Sequence, residues 1–202
     1  MMQGLKDSFG QTPSQTVGPY FAYGLVPQQY GYDHGQPFGT VLALDGARGE
    51  RIRLEGRVLD GDGVPVSDAL VEIAQADGSG TYPATVAEAA ERGFRAFGRC
   101  GTGTDAGHRY RFDTVKPGPE APGLAPHIHV IVTMRGLLLH TFTRVYFSDE
   151  AAANAADPVL AGVPAERRHT LIAQRADSGE GGVVYRFDIH MQGAQETVFF
   201  DL

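Results

Sequence analysis

The sequence has few cysteines, few positive charges and no long apolar run, and each of these absences excludes a class of protein. One cysteine in 202 residues, Cys100, excludes an internal disulfide framework and a multi-cysteine zinc finger. A net charge of −7 argues against a non-specific nucleic-acid binder, which needs clustered Lys and Arg. No apolar run approaches the roughly 18 residues of a membrane span, and the first residues show no apolar signal core. We therefore expect a soluble, cytoplasmic protein that binds neither nucleic acid nor membrane.

Glycine and proline are abundant, at 27 and 12 residues, or about a fifth of the chain against roughly 12 % in average proteins. This excess favours many short elements joined by turns over a helical bundle. About eight segments alternate apolar and polar residues as half-buried strands do, which predicts an all-β fold with a β-sandwich core. The predicted strands are 51–60, 69–76, 94–99, 108–113, 127–135, 137–147, 183–191 and 196–202.

Two further segments, 148–156 and 165–175, predict short peripheral helices, since acidic residues lie in their first turns. Residues 10–40 are rich in Gly, Pro, Gln and Tyr and have no 3.6-residue period. Their aromatic side chains favour an irregular arm laid over another surface, because disordered tails are usually poor in aromatics. We divide the chain into an N-terminal arm, 1–50, and a sandwich domain, 51–202, within one unit.

His127 and His129 form the densest group of candidate functional residues. Alternate residues of a strand point to the same face, so both imidazoles could reach one metal ion, although two polar side chains on a solvated face fit the same pattern. Tyr82 ends a glycine-rich stretch, and tyrosinate with imidazole suits Fe(III) more than zinc. Tyr82 could equally cap the sandwich as an ordinary turn residue. Cys100, which has no cysteine partner, fits a buried structural thiol better than a nucleophile.

Seven short motifs follow one another along nearly the whole chain: T-P-S-Q-T-V-G-P-Y-F (12–21), Q-A-D-G-S-G-T-Y (75–82), F-G-R-C-G-T (97–102), V-K-P-G-P (115–119), A-P-H-I-H (125–129), T-R-V-Y-F (143–147) and E-T-V-F-F-D (196–201). Each is weak alone, but in this order they closely resemble the alpha chains of heteromeric intradiol ring-cleaving dioxygenases. The resemblance implies a subunit of an enzyme that cleaves 3,4-dihydroxybenzoate with O2 to 3-carboxy-cis,cis-muconate.

Catalytic chains of this family hold non-haem Fe(III) through two tyrosines and two histidines. The resemblance places Tyr82, His127 and His129 at three of these positions and Glu120 at the fourth, with Leu124 where catalytic chains carry an arginine. A carboxylate has a much lower proton affinity than a phenolate, so it is a poor base for a phenol with a pKa of about 10. We therefore expect a degenerate pseudo-site that holds no metal, and no catalytic residue in this chain alone.

The resemblance also implies a homologous beta chain as partner, which holds most of the Fe(III), and a higher alpha–beta oligomer. The arm of this chain would supply Thr16, Gly18 and Pro19 to a pocket for the small aromatic substrate and O2. Arg135 would be a further contact in that pocket. From the residues alone, Arg135 is interpreted as a surface arginine at a strand end.

Two other functions stay open. One is a self-sufficient non-haem iron dioxygenase that uses Tyr82, Glu120, His127 and His129, which would be red-brown because tyrosinate-to-Fe(III) charge transfer absorbs visible light. The other is a β-sandwich binding module with no catalytic role, which would capture no catalytic partner chain.

Overall fold

The structure, a computed structural model, describes residues 16–18, 21–178 and 182–201, and within these it contains nine strands and four short α-helices. The strands are β1 (Arg51–Leu59), β2 (Leu70–Ala74), β3 (Phe97–Gly101), β4 (Arg109–Val115), β5 (His127–Thr133), β6 (Thr141–Phe147), β7 (Ile172–Ser178), β8 (Gly182–Arg186) and β9 (Ile189–His190). The α-helices are α1 (Phe21–Leu25), α2 (Val86–Arg92), α3 (Ala151–Ala156) and α4 (Pro158–Gly162), and 3-10 turns span Pro27–Tyr30 and Ala165–Leu171.

The strands form one continuous sheet in the order β3-β2-β5-β6-β7-β8-β1-β4, with β9 paired to β1. Most neighbours are antiparallel, but β6–β7, β1–β8 and β1–β9 are parallel. The β6–β7 contact is short, with only Tyr146 opposite Ile172 and Phe147 opposite Ala173. Residues from both sides of this narrow junction, such as Val71 and Ile128 on one side and Leu54 and Phe112 on the other, belong to one hydrophobic core. The predicted β-sandwich is confirmed.

The core follows from the alternation that the sequence shows. In β1 the side chains of Ile52, Leu54 and Val58 are buried, whereas Arg53 and Arg57 between them are exposed. Strand β5 contributes its even-numbered residues, 128, 130 and 132, to the same core. Its odd-numbered residues therefore face the other side of the sheet, which is where both histidines lie.

Several predicted boundaries need correction. Segment 165–175 is not one helix: a 3-10 turn ends at Leu171, and β7 follows, because pairing with β6 overrides the local helical pattern. Segment 137–147 becomes a strand only at Thr141, since Gly136 has a φ of +93° and Leu138 and Leu139 are exposed. Segment 196–202 makes only a single bridge within its described part, from Phe200 to Phe142.

Two other strand predictions are partly wrong. The strand expected at 94–99 begins at Phe97, while Phe94 instead bridges to Ala43. The strand expected at 183–191 is divided into β8 and β9, and between them the Phe187 N–H donates to the carbonyl of Glu55. The helix expected at 148–156 is confirmed as α3, whereas α2 was not predicted at all.

The N-terminal arm is more regular than predicted, since it contains α1 and a 3-10 turn. Ala22 and Val26 of this segment pack against Leu70 of β2. The Gln29 side chain donates to the carbonyl of Gly101 (3.1 Å) and accepts from its N–H (2.8 Å). These bonds pair the exposed edge of β3, an edge that would otherwise be open to pairing with other chains.

None of the helices among the described residues is long and apolar enough to cross a membrane.

Candidate functional site

Two glycine-containing loops bring Tyr82 and Glu120 together. At Gly80, where φ is +79°, an added Cβ would lie 2.1 Å from the carbonyl oxygen of Pro119. At Gly118 an added Cβ would lie 2.6 Å from the carbonyl oxygen of Gly78. The loops can therefore touch only because both positions lack a side chain. A hydrogen bond of 2.9 Å from the Gly118 N–H to the carbonyl of Asp77 joins them.

The buried side chain of Asp77 holds the loop that carries Tyr82 through hydrogen bonds. Its carboxylate accepts hydrogen bonds from the N–H and hydroxyl of Ser79, at 2.9 and 2.6 Å, and from the N–H of Thr81 at 3.2 Å. Burial opposes its ionisation, but these hydrogen bonds outweigh burial and lower the pKa of Asp77. The ionised carboxylate of Asp77 therefore fixes the conformation of the loop just before Tyr82.

Strand β5 supplies the two histidines. His127 is buried and His129 is half-buried, on the face of β5 away from the main core. His127 Nδ1 lies 2.9 Å from the carbonyl oxygen of Ala125. A carbonyl only accepts, so Nδ1 of His127 carries a proton and the neutral ring keeps its lone pair on Nε2.

A second buried carboxylate holds the segment before His127. Asp157 accepts the N–H of Ala125 at 2.8 Å, and it also caps α4 by accepting the N–H groups of Val159 and Leu160, both at 2.9 Å. Burial opposes ionisation, but the three backbone donors outweigh it and lower the pKa of Asp157. The position of His127 thus depends on a carboxylate thirty residues further along the chain.

These elements bring Tyr82, Glu120, His127 and His129, the four positions that the family resemblance implies, into one cluster. The Tyr82 hydroxyl donates to Oε1 of Glu120 at 2.5 Å. That oxygen lies 3.8 Å from Nε2 of His127 and 3.6 Å from Nε2 of His129. The two Nε2 atoms are 3.2 Å apart, and since His127 is the acceptor, His129 donates.

The cluster favours neutral rings and a neutral phenol. Burial lowers the pKa of His127, and burial together with the neighbouring His127 lowers that of His129. Burial, the hydrogen bond to Glu120 and the negative charge of that carboxylate raise the pKa of Tyr82 above its ordinary value. Glu120 therefore faces a hydrogen-bond donor at Tyr82 rather than a second anion.

Arg144 belongs to this site, although the sequence analysis did not identify it. It lies directly opposite His129 in the β5–β6 register, and its positive charge lowers the pKa of both histidines and opposes the rise at Tyr82. Its Nη1 is buried and has no hydrogen-bond partner within the described part of the chain. The sequence could have shown only that the side chains of β6 alternate between its two faces. That alternation places Arg144 beside His129 once the register between β6 and β5 is known.

The residues present do not fit the ferric centre of the family's catalytic chains. That centre needs two tyrosinates, whereas this cluster has one tyrosine, and its hydroxyl is committed as a donor to Glu120. Position 124, where catalytic chains carry an arginine, is a half-buried leucine in the turn before His127. The cluster therefore lacks a second phenolate, and position 124 lacks the guanidinium that the family resemblance places there.

Two of the other predicted residues, Thr16 and Arg135, lie near each other at the far end of β5. The Thr16 hydroxyl accepts the N–H of Gly136 at 2.9 Å, which places the arm beside Arg135. Arg135 is more than half exposed and forms an ion pair with Asp68. At Gly18 an added Cβ would meet nothing within 4 Å. Pro19 lies outside the described residues.

The two groups are well separated along one strand. His127 is the first residue of β5 and Thr133 is its last. Six steps of roughly 3.3 Å span about 20 Å, and Arg135 lies beyond that end. Thr16, Gly18 and Arg135 therefore do not belong to the histidine cluster of this chain.

Comparisons with known proteins agree with this geometry. A family model described as Dioxygenase matches residues 16–193. The chain is 62 % identical to the protocatechuate 3,4-dioxygenase alpha chain of Burkholderia cepacia, over 95 % of this chain and 98 % of that protein. It is 37 % identical to the beta chain of the same species, over 74 % of this chain and 67 % of that protein. An intradiol ring-cleavage dioxygenase structure from Tetranychus urticae shares the fold, with a TM-score of 0.59 at 17 % identity, covering 90 % of this chain and 94 % of that one.

Proposed function

Because the chain belongs to the intradiol ring-cleaving dioxygenase family, we propose that it is the alpha subunit of a protocatechuate 3,4-dioxygenase. Its similarity to alpha chains, which extends over almost the full length of both proteins, carries this proposal. The lower and less extensive similarity to a beta chain supports a homologous partner of that type.

The proposed complex takes 3,4-dihydroxybenzoate and O2. The carbon–carbon bond between the two hydroxyl-bearing carbons breaks, both oxygen atoms enter the product, and 3-carboxy-cis,cis-muconate forms. Non-haem Fe(III), held mainly by the beta chain, supplies the electron-withdrawing centre that binds the catecholate. The residues of this chain bind and orient the substrate and exclude water.

The residues at positions 120 and 124, Glu120 and Leu124, support the proposal that ring cleavage takes place at the iron of the beta chain and not in this chain. A carboxylate that accepts a hydrogen bond from Tyr82 is a weak base, so it would not remove a proton from a catechol as a released tyrosinate can. A leucine cannot stabilise negative charge on the oxidised ring. The Tyr82, Glu120, His127 and His129 cluster is therefore proposed to be a degenerate centre with no role in ring cleavage.

The proposed contribution to the substrate pocket comes from Thr16, Gly18, Pro19 and Arg135. The hydrogen bond from Gly136 to Thr16 holds the arm against the turn that carries Arg135. None of the residues that the structure describes lies within 4 Å of a Cβ added at Gly18, so the space there is compatible with close approach of a partner or a flat ring. A guanidinium can pair with the substrate carboxylate through charge-assisted hydrogen bonds.

The test is to co-express the chain with a beta chain and to compare Arg135→Ala with Arg186→Ala in the purified complex. Both arginines are more than half exposed, but Arg186 pairs with Glu55 on the outer face of the sheet. Losing one charge-assisted contact costs roughly 1.5–3 kcal/mol, so kcat/KM of Arg135→Ala should fall by about one to two orders of magnitude. Iron content and the visible absorption of the complex should stay unchanged.

Equal kcat/KM for Arg135→Ala and Arg186→Ala would refute the role of Arg135. The full chain purified without a beta chain should show no dioxygenase activity. Stoichiometric ferric iron with turnover in that preparation would instead support the self-sufficient enzyme. Failure to form a complex with any catalytic homologue would support the binding module.

A further inference from the structure

The cluster that does not fit Fe(III) has the composition of another kind of metal site. It offers two imidazole nitrogens and one carboxylate oxygen, which is a ligand set typical of divalent zinc. We propose that Glu120, His127 and His129 form a divalent-metal site of the zinc type. This differs from the family's ferric centre in both the ion and the ligand set, and it does not rest on the proposed function.

The distances between the ligand atoms favour tetrahedral coordination. Bonds of roughly 2.0–2.2 Å give tetrahedral ligand–ligand distances of roughly 3.3–3.6 Å. The three atoms are 3.2, 3.6 and 3.8 Å apart. One face of an octahedron with bonds of about 2.1 Å would have edges near 3.0 Å, so a six-coordinate ferrous site would need more contraction. The three distances are therefore nearer to those of a tetrahedral site than to those of an octahedral one, and each needs to change by only about 0.1–0.2 Å when an ion binds.

The surroundings prepare His127 and Glu120 for metal binding, whereas His129 has to change tautomer. His127 donates its Nδ1 proton to the Ala125 carbonyl, which directs the Nε2 lone pair into the cluster. Oε1 of Glu120 has two lone pairs, so it can accept from Tyr82 and still bind an ion. His129 would move its proton from Nε2 to Nδ1 when the ion takes its place between the rings.

The charge of Arg144 favours a negatively charged fourth ligand on the metal ion. Its charge opposes a cation, so we expect weaker binding than at a site with thiolate ligands. Its buried Nη1 lacks a hydrogen-bond partner among the described residues. A negatively charged fourth ligand, such as hydroxide or a small carboxylate, would offset both the unpaired donor and the charge of the ion.

The experiment is calorimetric titration of the full-length chain with Zn2+, after treatment with a chelator. We expect about one ion per chain, with affinity falling at least tenfold in Glu120→Gln and in His129→Gln. His169→Gln is the matched control, because that imidazole makes one exposed hydrogen bond, to Gln195, outside the cluster. Circular dichroism of each variant confirms folding, and His129, being partly exposed, is the safer histidine to replace.

Co2+ gives a second, independent measurement. Tetrahedral Co2+ absorbs much more strongly in the visible than octahedral Co2+, so the folded chain should turn blue with one equivalent. Three results would overturn the proposal: no stoichiometric Zn2+ binding, binding that is unchanged in Glu120→Gln and His129→Gln, or a weak octahedral Co2+ spectrum. Equal loss of binding in His169→Gln would place the ion elsewhere and would also overturn it.

Discussion

Replacing Asp157 by alanine should destabilise the fold far more than replacing a hydrogen-bonded aspartate in an exposed turn. The Asp157 side chain is fully buried and accepts three backbone N–H groups, those of Ala125, Val159 and Leu160. The Tyr146 hydroxyl also donates to it, at 3.3 Å. One carboxylate therefore satisfies both the first turn of α4 and the segment that leads into β5.

The expected magnitude follows from the donors left behind. Each buried, unsatisfied donor costs about 1–3 kcal/mol, and the N–H groups of Ala125 and Leu160 are buried. A water molecule entering the vacated space would recover part of this cost. We expect the free energy of unfolding to fall by about 2–4 kcal/mol, which lowers Tm by roughly 5–15 °C in a chain of this size.

Urea and thermal unfolding of Asp157→Ala and Asp60→Ala provide the comparison. Asp60 also accepts two backbone N–H groups, those of Asp62 and Val64, but in an exposed turn where water can replace it. Its loss should cost about 0.5 kcal/mol or less. If Asp157→Ala does not fold, Asp157→Asn, which keeps one acceptor oxygen, should fold with an intermediate loss. Equal stability of Asp157→Ala and Asp60→Ala would refute the reasoning.

Two further predictions concern the loop contact and acid stability. Gly80→Ala should cost about 1–3 kcal/mol, because its Cβ would lie 2.1 Å from the Pro119 carbonyl oxygen; Gly35→Ala, where a Cβ meets nothing, should be neutral in the same urea assay. Burial opposes ionisation of Asp149, but hydrogen bonds, first that from Lys116, lower its pKa to about 2. The unfolded value is about 3.9, so this carboxylate stabilises the fold above pH 4, and the stabilisation is lost as the pH falls towards 2. Asp149→Asn should flatten the loss of unfolding free energy in that window, and an unchanged slope would contradict the assignment.

The β-sandwich could be predicted because its strands are amphipathic by themselves. β1 alternates buried and exposed residues over nearly its whole length, and β5 shows the same period from Ile128 onward. Recognising β5 as a strand was enough to predict that His127 and His129 lie on the same face. The meeting of Tyr82 with Glu120 came instead from the family resemblance, since no local pattern predicts contact between two glycine-rich loops.

The missed elements fall into two kinds. β7 could not be predicted locally, because its residues become a strand only through pairing with β6 and β8. Helix α2 could have been predicted, since Thr85 accepts the Glu88 N–H, the Glu88 side chain accepts the Ala84 N–H, and Gly93 ends the helix in a left-handed conformation. Thr85 and Glu88 have the T-x-x-E spacing of a capping box, although Glu88 accepts the N–H one residue before the N-cap, and the spacing and the terminal glycine are both present in the sequence.

Strand β5 connects the histidine cluster to the turn that carries Arg135. Its even-numbered residues are buried in the core, so a shift of one residue would move both histidines into that core. The same register fixes His127 at one end and the turn before Arg135 at the other. Burial rather than metal ligation holds this register, since Asp157 and the core contacts need no ion. A substitution at position 120 should therefore alter the histidine cluster while the end proposed to face the substrate keeps its geometry.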